Sequence, residues 1–236
     1  MSEESIRENL RKIRERIGSA AQRAGRRGNE IGLIGVSKTQ PAGAIRAAFA
    51  AGVRSFGENR VQEWEGKREL LADLAGRWHL VGHLQSNKTA KAARMFHSVD
   101  SVDDFALAER LNRARVEANA AEKLRVLIEV RVAREETKSG AEIADLPKLA
   151  ERINALSHLD LAGLMCIPPF LEDAERVRPY FRKLRELRDS LAAQLGCPLP
   201  VLSMGMSHDF EVAIEEGATE VRIGTALFGA RVGKAV

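Results

Sequence analysis

Residues 31–41, "IGLIGVSKTQP", decide the fold. A short apolar run meets a serine, a lysine and a proline, the pattern of a buried strand ending in a polar loop. In an open doubly wound sheet this strand would usually lead into a GxGxxG fingerprint, and "GVSKTQP" is not one. Downstream the same order repeats: an apolar, β-branched run, a Gly-rich or polar joint, then a helical stretch. Strands are expected near 31–37, 53–57, 78–84, 96–100, 125–132, 159–166, 200–205 and 220–224. Helical stretches are expected near 41–51, 59–74, 86–94, 102–121, 142–156, 171–195 and 208–216, and "ALFGARVGKAV" closes the chain as a short helix or tail. Strands that alternate with helices form parallel sheets. Eight such units in 236 residues fit a (β/α)8 barrel at the small end of its range.

Ahead of the first strand, Ile6, Leu10, Ile13, Ile17, Ala20 and Ala24 form one apolar stripe with helical spacing, predicting an extra N-terminal amphipathic helix. No linker or composition break interrupts the chain, so residues 1–236 are expected to form a single domain.

Composition narrows the function. The chain is 44% hydrophobic, enough for one sizeable core, and 30% charged. No apolar run approaches the roughly 20 residues of a membrane span. The N-terminus lacks the apolar centre of a signal peptide, which makes the cytoplasm the expected compartment. The net charge is +4, with basic residues interleaved with glutamates, and only 5% of residues are aromatic, so nucleic acid is not an expected partner. Cys166 and Cys197 fit no zinc spacing and read as free thiols, Cys166 in a buried strand. His79 and His83 read as two residues of one strand, and no metal site is expected.

In this fold the chemistry sits at the C-terminal ends of the strands. Lys38 ends the first of them. A lysine there either reaches solvent or sits partly desolvated with a lowered pKa, in which case its amine is a nucleophile that forms imines with carbonyl compounds. "LSMGMSHD" and "VRIGTALFG" follow strands seven and eight, the frequent phosphate site of the fold. Ser203, Ser207 and Thr225 can donate hydroxyl hydrogen bonds there, and Gly205 and Gly224 permit close backbone approach to an anion; they can equally be turn residues. An imine-forming lysine facing a phosphate cup suggests a phosphorylated aldehyde. Pyridoxal 5′-phosphate is the commonest, and a class I aldolase acting on a sugar phosphate uses the same two elements.

The segments "GVSKTQP", "FGENRVQE", "WHLVGHLQSNK", "SVDS", "LAGLMCIPP" and "LSMGMSHDFEVAIEEGATEVRIGTALFG" resemble, in order, those of the YggS/PROSC family of pyridoxal phosphate homeostasis proteins, from about residue 3 to 231. The resemblance implies the barrel of the alanine racemase N-terminal domain without that enzyme's second domain. It implies pyridoxal 5′-phosphate held as a Schiff base on Lys38, with the phosphate near Ser203, Ser207, Gly224 and Thr225. Arg222 is set against the pyridine nitrogen, with Asn59 and Met206 near the ring. Lys138 matches a secondary lysine implicated in handling the cofactor. Arg60 stands where many relatives carry Tyr, and His208 where Asp is common. The implied role is buffering or delivery of the cofactor to apoenzymes by a monomer without strong catalysis. The alternative is an amino-acid racemase or decarboxylase built on the same lysine.

Overall fold

The computed structural model describes residues 2–133 and 139–229, and Lys138 lies outside them. Its eight strands are β1 (Gly32–Val36), β2 (Ser55–Glu58), β3 (Arg77–Leu80), β4 (Ser98–Val102), β5 (Leu124–Glu129), β6 (Leu159–Met165), β7 (Val201–Met206) and β8 (Glu220–Ile223). They pair in parallel in sequence order, and β8 returns to β1 through Ile34 opposite Arg222 and Gly35 opposite Ile223, closing the barrel. All eight fall where the apolar runs predict them.

The helices are α1 (Glu3–Arg23), α2 (Ala42–Ala50), α3 (Val61–Lys67), α4 (Thr89–Met95), α5 (Phe105–Glu117), α6 (Leu146–Asn154), α7 (Arg178–Leu195), α8 (Phe210–Glu215) and α9 (Thr225–Phe228). Ser2 caps α1 by accepting from the Ser5 N–H, and Glu3 and Glu4 complement the helix dipole. The predicted stripe is buried, with Ile6, Leu10, Ile13 and Ile17 at most 4% exposed. α9 is too short to cover the seam between β8 and β1. α1 covers it instead, touching α2, α8 and α9, with Asn9 donating to the Leu227 carbonyl at 3.1 Å.

Expectations on element limits change in three places, and the stretch 171–195 is an α-helix only from Arg178, after a 3₁₀ turn at Ala174–Val177. The stretch 59–74 is a short α3 followed by a 3₁₀ turn, Arg68–Leu71. The third strand ends at Leu80, so His83 lies in the loop beyond it while His79 stays in β3. The cause is a backbone crossing: a Cβ on Gly82 would sit 2.4 Å from the Asn59 carbonyl oxygen. The loops after β2 and β3 therefore touch directly.

The main core lies between strands and helices and includes a stack of Phe56, Trp78 and Trp64, the last two 3.7 Å apart. A separate small cluster, Leu127, Ala162 and Met165 with Val201 against it, sits on β5 to β7. The register between β5 and β6 shifts there, between Val126 and Leu127, and Gly163 lies so close to β7 that an added Cβ would be 1.9 Å from the Val201 carbonyl oxygen. Gly163→Ala is expected to cost about 3 kcal/mol through forced separation of β6 from β7. Urea unfolding checks this, and an unchanged midpoint would show that the strands can part without loss.

Candidate functional site

β7, β8, β1 and β2 are consecutive around the closed barrel. Apart from Lys138, which lies outside the described residues, the residues singled out in the sequence for ligand binding stand on one of these strands or in the segment after it: Ser203, Met206 and Ser207 with β7, Arg222, Gly224 and Thr225 with β8, Lys38 after β1 and Asn59 after β2.

Lys38 is half-buried. It occupies a tight turn in which the Gln40 N–H returns to the Ser37 carbonyl at 3.0 Å. Thr39 has φ 64°, a left-handed conformation that is costly for a β-branched residue. A buried ionic network holds this turn, and no local sequence signal announces it. Glu58, at the end of β2, is fully buried and accepts from the Ser37 hydroxyl at 2.7 Å. The Lys67 ammonium, at the end of α3, donates to Glu58 at 3.2 Å, to the Ser37 carbonyl at 3.0 Å and to Glu63, one helical turn before it, at 2.8 Å. Glu63 in turn accepts from the Thr39 N–H. Burial pushes the Glu58 carboxyl up, while the Ser37 hydroxyl and Lys67 pull it down. The network fixes the backbone on both sides of Lys38.

Arg222 is 3% exposed. Its guanidinium donates to the Ser203 carbonyl at 2.6 Å, the Ser203 hydroxyl at 2.8 Å and the Cys166 carbonyl at 2.8 Å. Three acceptors from β7 and the end of β6 thus hold a permanent cation in one orientation. Ser203 is fully buried, and its hydroxyl is placed on Arg222. Cys166 is also fully buried and free, and burial pushes its thiol up to about 12.

The loops after β7 and β8 are joined where the Ala226 N–H donates to the Ser207 hydroxyl oxygen at 3.1 Å. That bond leaves the Ser207 O–H available as a donor beside the exposed Thr225. Asp209 closes the β7 turn by accepting from the Met206 N–H at 2.6 Å. Gly205 has φ 91°, and a Cβ there would meet the Ala213 Cβ at 2.6 Å, so packing on α8 accounts for this glycine. At the rim, the exposed His208 donates from Nε2 to the Leu171 and Glu172 carbonyls, 3.1 and 3.0 Å away, and tethers the loop after β6.

Glu129, at the end of β5, is 5% exposed, with Arg222 and Asp103 acting on its charge. Burial first and Asp103 second push this carboxyl up, and Arg222 offsets part of the rise. A raised acid favours the folded state most below its unfolded pKa, and that contribution is lost as pH rises through the folded value. Glu129→Gln is therefore expected to gain stability relative to the parent on going from pH 5 to pH 8, read from urea unfolding at both values. A relative loss over that range would contradict the burial of this charge.

Among the described residues, His79, Asp100 and Glu220 place ligand atoms within 4.8 Å of one another. A protein cation already serves them: Arg125 pairs with Glu220 at 2.7 Å and acts on the Asp100 charge, while His79 meets Asp100 at 3.2 Å.

A closed parallel barrel of eight strands with helices between them is the (β/α)8 architecture, whose chemistry lies at the C-terminal ends of the strands. The chain belongs to the alanine racemase N-terminal domain family, which matches residues 2–232. It is 50% identical to the pyridoxal phosphate homeostasis protein of Aquifex aeolicus (strain VF5), over 95% of this chain and 97% of that one. It is 49% identical to the pyridoxal phosphate homeostasis protein of Pseudomonas aeruginosa, over 96% of each chain. The structure of PipY from Synechococcus elongatus PCC7942 with PLP bound superposes with a TM-score of 0.85 at 39% identity, covering 95% of this chain and all of PipY.

Proposed function

We propose that this protein binds pyridoxal 5′-phosphate at the barrel mouth and acts in its homeostasis, holding and handing on the cofactor. The observation that carries the reading is the unbroken arc β7–β8–β1–β2, because Lys38, Arg222, Ser207 and Thr225 all belong to these neighbouring strands or to the segments that follow them. The names of the relatives and the ligand of PipY point the same way.

The donor set suits the cofactor. Ser207 and Thr225 offer hydroxyl donors and Gly224 an unobstructed backbone for a phosphate, since a Cβ on Gly224 would still have Val36 no nearer than 3.6 Å. Arg222 supplies a rigid donor for an acceptor nitrogen, and Lys38 supplies the amine. When bound, the cofactor contributes an aldehyde that joins reversibly to a primary amine. Asn59 and Met206 border the space on the β2 and β7 sides. Ser203 acts on the cofactor through Arg222, by holding its guanidinium in place.

Arg222 also argues for holding over turnover. A guanidinium donates hydrogen bonds and stays charged, so the nitrogen it faces remains without a proton. A protonated ring nitrogen is what a carboxylate partner would secure for carbanion chemistry. The chain's single tyrosine, Tyr180, lies on α7 at the edge of the core, so no tyrosine serves the mouth as a second acid or base. No helix among the described residues is long and apolar enough to cross a membrane. Under this reading the protein works in the cytoplasm as a monomer and meets apoenzymes transiently.

Borohydride reduction of the loaded protein followed by peptide mapping is expected to find the label on Lys38, and a label confined to another lysine would overturn the assignment. Steady turnover of a free amino acid with cofactor saturating would favour a racemase or decarboxylase. Ser207→Ala and Thr225→Ala are each expected to weaken retention by about 1–3 kcal/mol, the cost of losing a hydrogen bond to a charged group. Equilibrium dialysis measures it, and unchanged retention in both would put the phosphate elsewhere.

A further inference from the structure

A cavity of about 640 Å³ opens between the loops after β2 and β3, on the other side of Lys38 from the phosphate loops. Its chemistry comes from Asn59, Arg60, Gln62, His83, Gln85 and Lys88. Two permanent or near-permanent cations, three amides and an imidazole line it, and no carboxylate does. The acids nearby are engaged elsewhere: Glu63 with Lys67 and the Thr39 N–H, Glu65 with Lys91 at 2.5 Å, and Asp103 beside His83 at 3.8 Å. Arg60 and Lys88 form no ion pair within 4 Å with any described residue, although the Lys88 charge helps to lower the Glu65 carboxyl. The floor is rigid, because the Gly82 backbone lies directly against Asn59. A cavity of this size, walled by fork-shaped and point cations with neutral hydrogen-bonding groups between them, is suited to an organic anion.

We infer that this cavity is a carboxylate subsite for the amino compound that takes the cofactor off Lys38. The inference rests on the proposed attachment at that residue. Release from a lysine needs water or another amine. In the amine route one C=N bond would replace another: the incoming nitrogen would bond to the imine carbon, the bond from that carbon to Lys38 Nζ would break, and the two hydrogens of the incoming neutral amine would end on Nζ, with no change of oxidation state. Asn59 both lines the cavity and follows Glu58, which is bonded to Ser37, the residue before Lys38. An amine that carries a carboxylate is thus drawn by Arg60 and Lys88 to a position beside the lysine it must displace. The ligand class is an α-amino acid.

Two measurements test this. Release of cofactor from the loaded protein is followed with alanine and with ethanolamine, amines of similar basicity of which only the first carries a carboxylate. The expected result is a rate about tenfold higher with alanine, saturating with concentration, and a ratio near one in the Arg60→Gln, Lys88→Gln double variant. Equal rates for the two amines in the parent protein would overturn the inference. In the second, malonate binding to the cofactor-free protein is measured by calorimetry. Weak, saturable binding that disappears in the double variant is expected. Binding that survives the double variant and is lost with Thr225→Ala would assign the anion to the phosphate loops and overturn the subsite. The calorimetry judges the cavity even if Lys38 proves not to hold the cofactor, so the two readings fail separately.

Discussion

Lys38→Ala is expected to leave the protein folded and to abolish every borohydride-reducible attachment of pyridoxal phosphate. Lys38 is half-buried in a surface turn, so truncation removes little apolar contact, and a change in stability within about 0.5 kcal/mol is expected. Ser207 and Thr225, the proposed phosphate donors, follow β7 and β8 and Arg222 stands on β8, so residual non-covalent binding should persist. Lys38→Arg keeps the charge without a primary amine and should behave like alanine in the reduction assay. Visible absorbance, reduction and circular dichroism together check the result. A variant at position 38 that still takes up reducible cofactor at wild-type stoichiometry would move the attachment to a different lysine.

Lys67→Met is expected to be the most damaging single change outside the apolar core, at about 3–5 kcal/mol, because it leaves a buried charge without its partner. The Lys67 side chain is 14% exposed and bridges Glu58, Glu63 and the Ser37 carbonyl, so its loss strands the fully buried Glu58 carboxylate. Burial already pushes Glu58 upward, and without Lys67 its pKa should rise further. A raised acid is favourable below its unfolded pKa and loses that contribution as pH climbs, so the variant should lose more stability at pH 8 than at pH 5. Adding Glu58→Gln should recover much of the loss, since the charge is then gone. Cofactor retention should also fall, because the turn carrying Lys38 loses a tie on each flank. Urea unfolding of the single and double variants at the two pH values decides it. A cost below about 1 kcal/mol would mean that Glu58 is already neutral or reached by water.

The barrel was legible because its signals are local. Hydrophobic period and joint composition are read within a few residues of sequence, so "IGLIGV", "LRVLIEV" and "LAGLMC" mark β1, β5 and β6 without any knowledge of their neighbours. The Ile6–Ile17 stripe likewise gives α1, since an apolar face at helical spacing needs only something to pack on. Strand ends were less secure. The third strand reads on past Leu80 because Val81 and Leu84 are apolar, and only the crossing of Gly82 under Asn59 stops it.

The site divides along the same line. Residue types at strand ends select Lys38, Ser207 and Thr225 from the sequence, because the fold class says where chemistry lies, whereas Arg222 entered only through the family resemblance. That β7, β8, β1 and β2 stand side by side was decided by the pairing of β8 with β1, a contact between elements far apart in the sequence. The tertiary structure alone assigns the Ser203 hydroxyl to Arg222 and brings Lys67 under the Lys38 turn. A lysine in "EWEGKREL" reads as part of a solvated helix face, and nothing adjacent to it announces a buried carboxylate on β2. The physical reason is range. Periodicity and propensity act between neighbours along the chain, whereas desolvation and ion pairing depend on which groups the finished fold encloses.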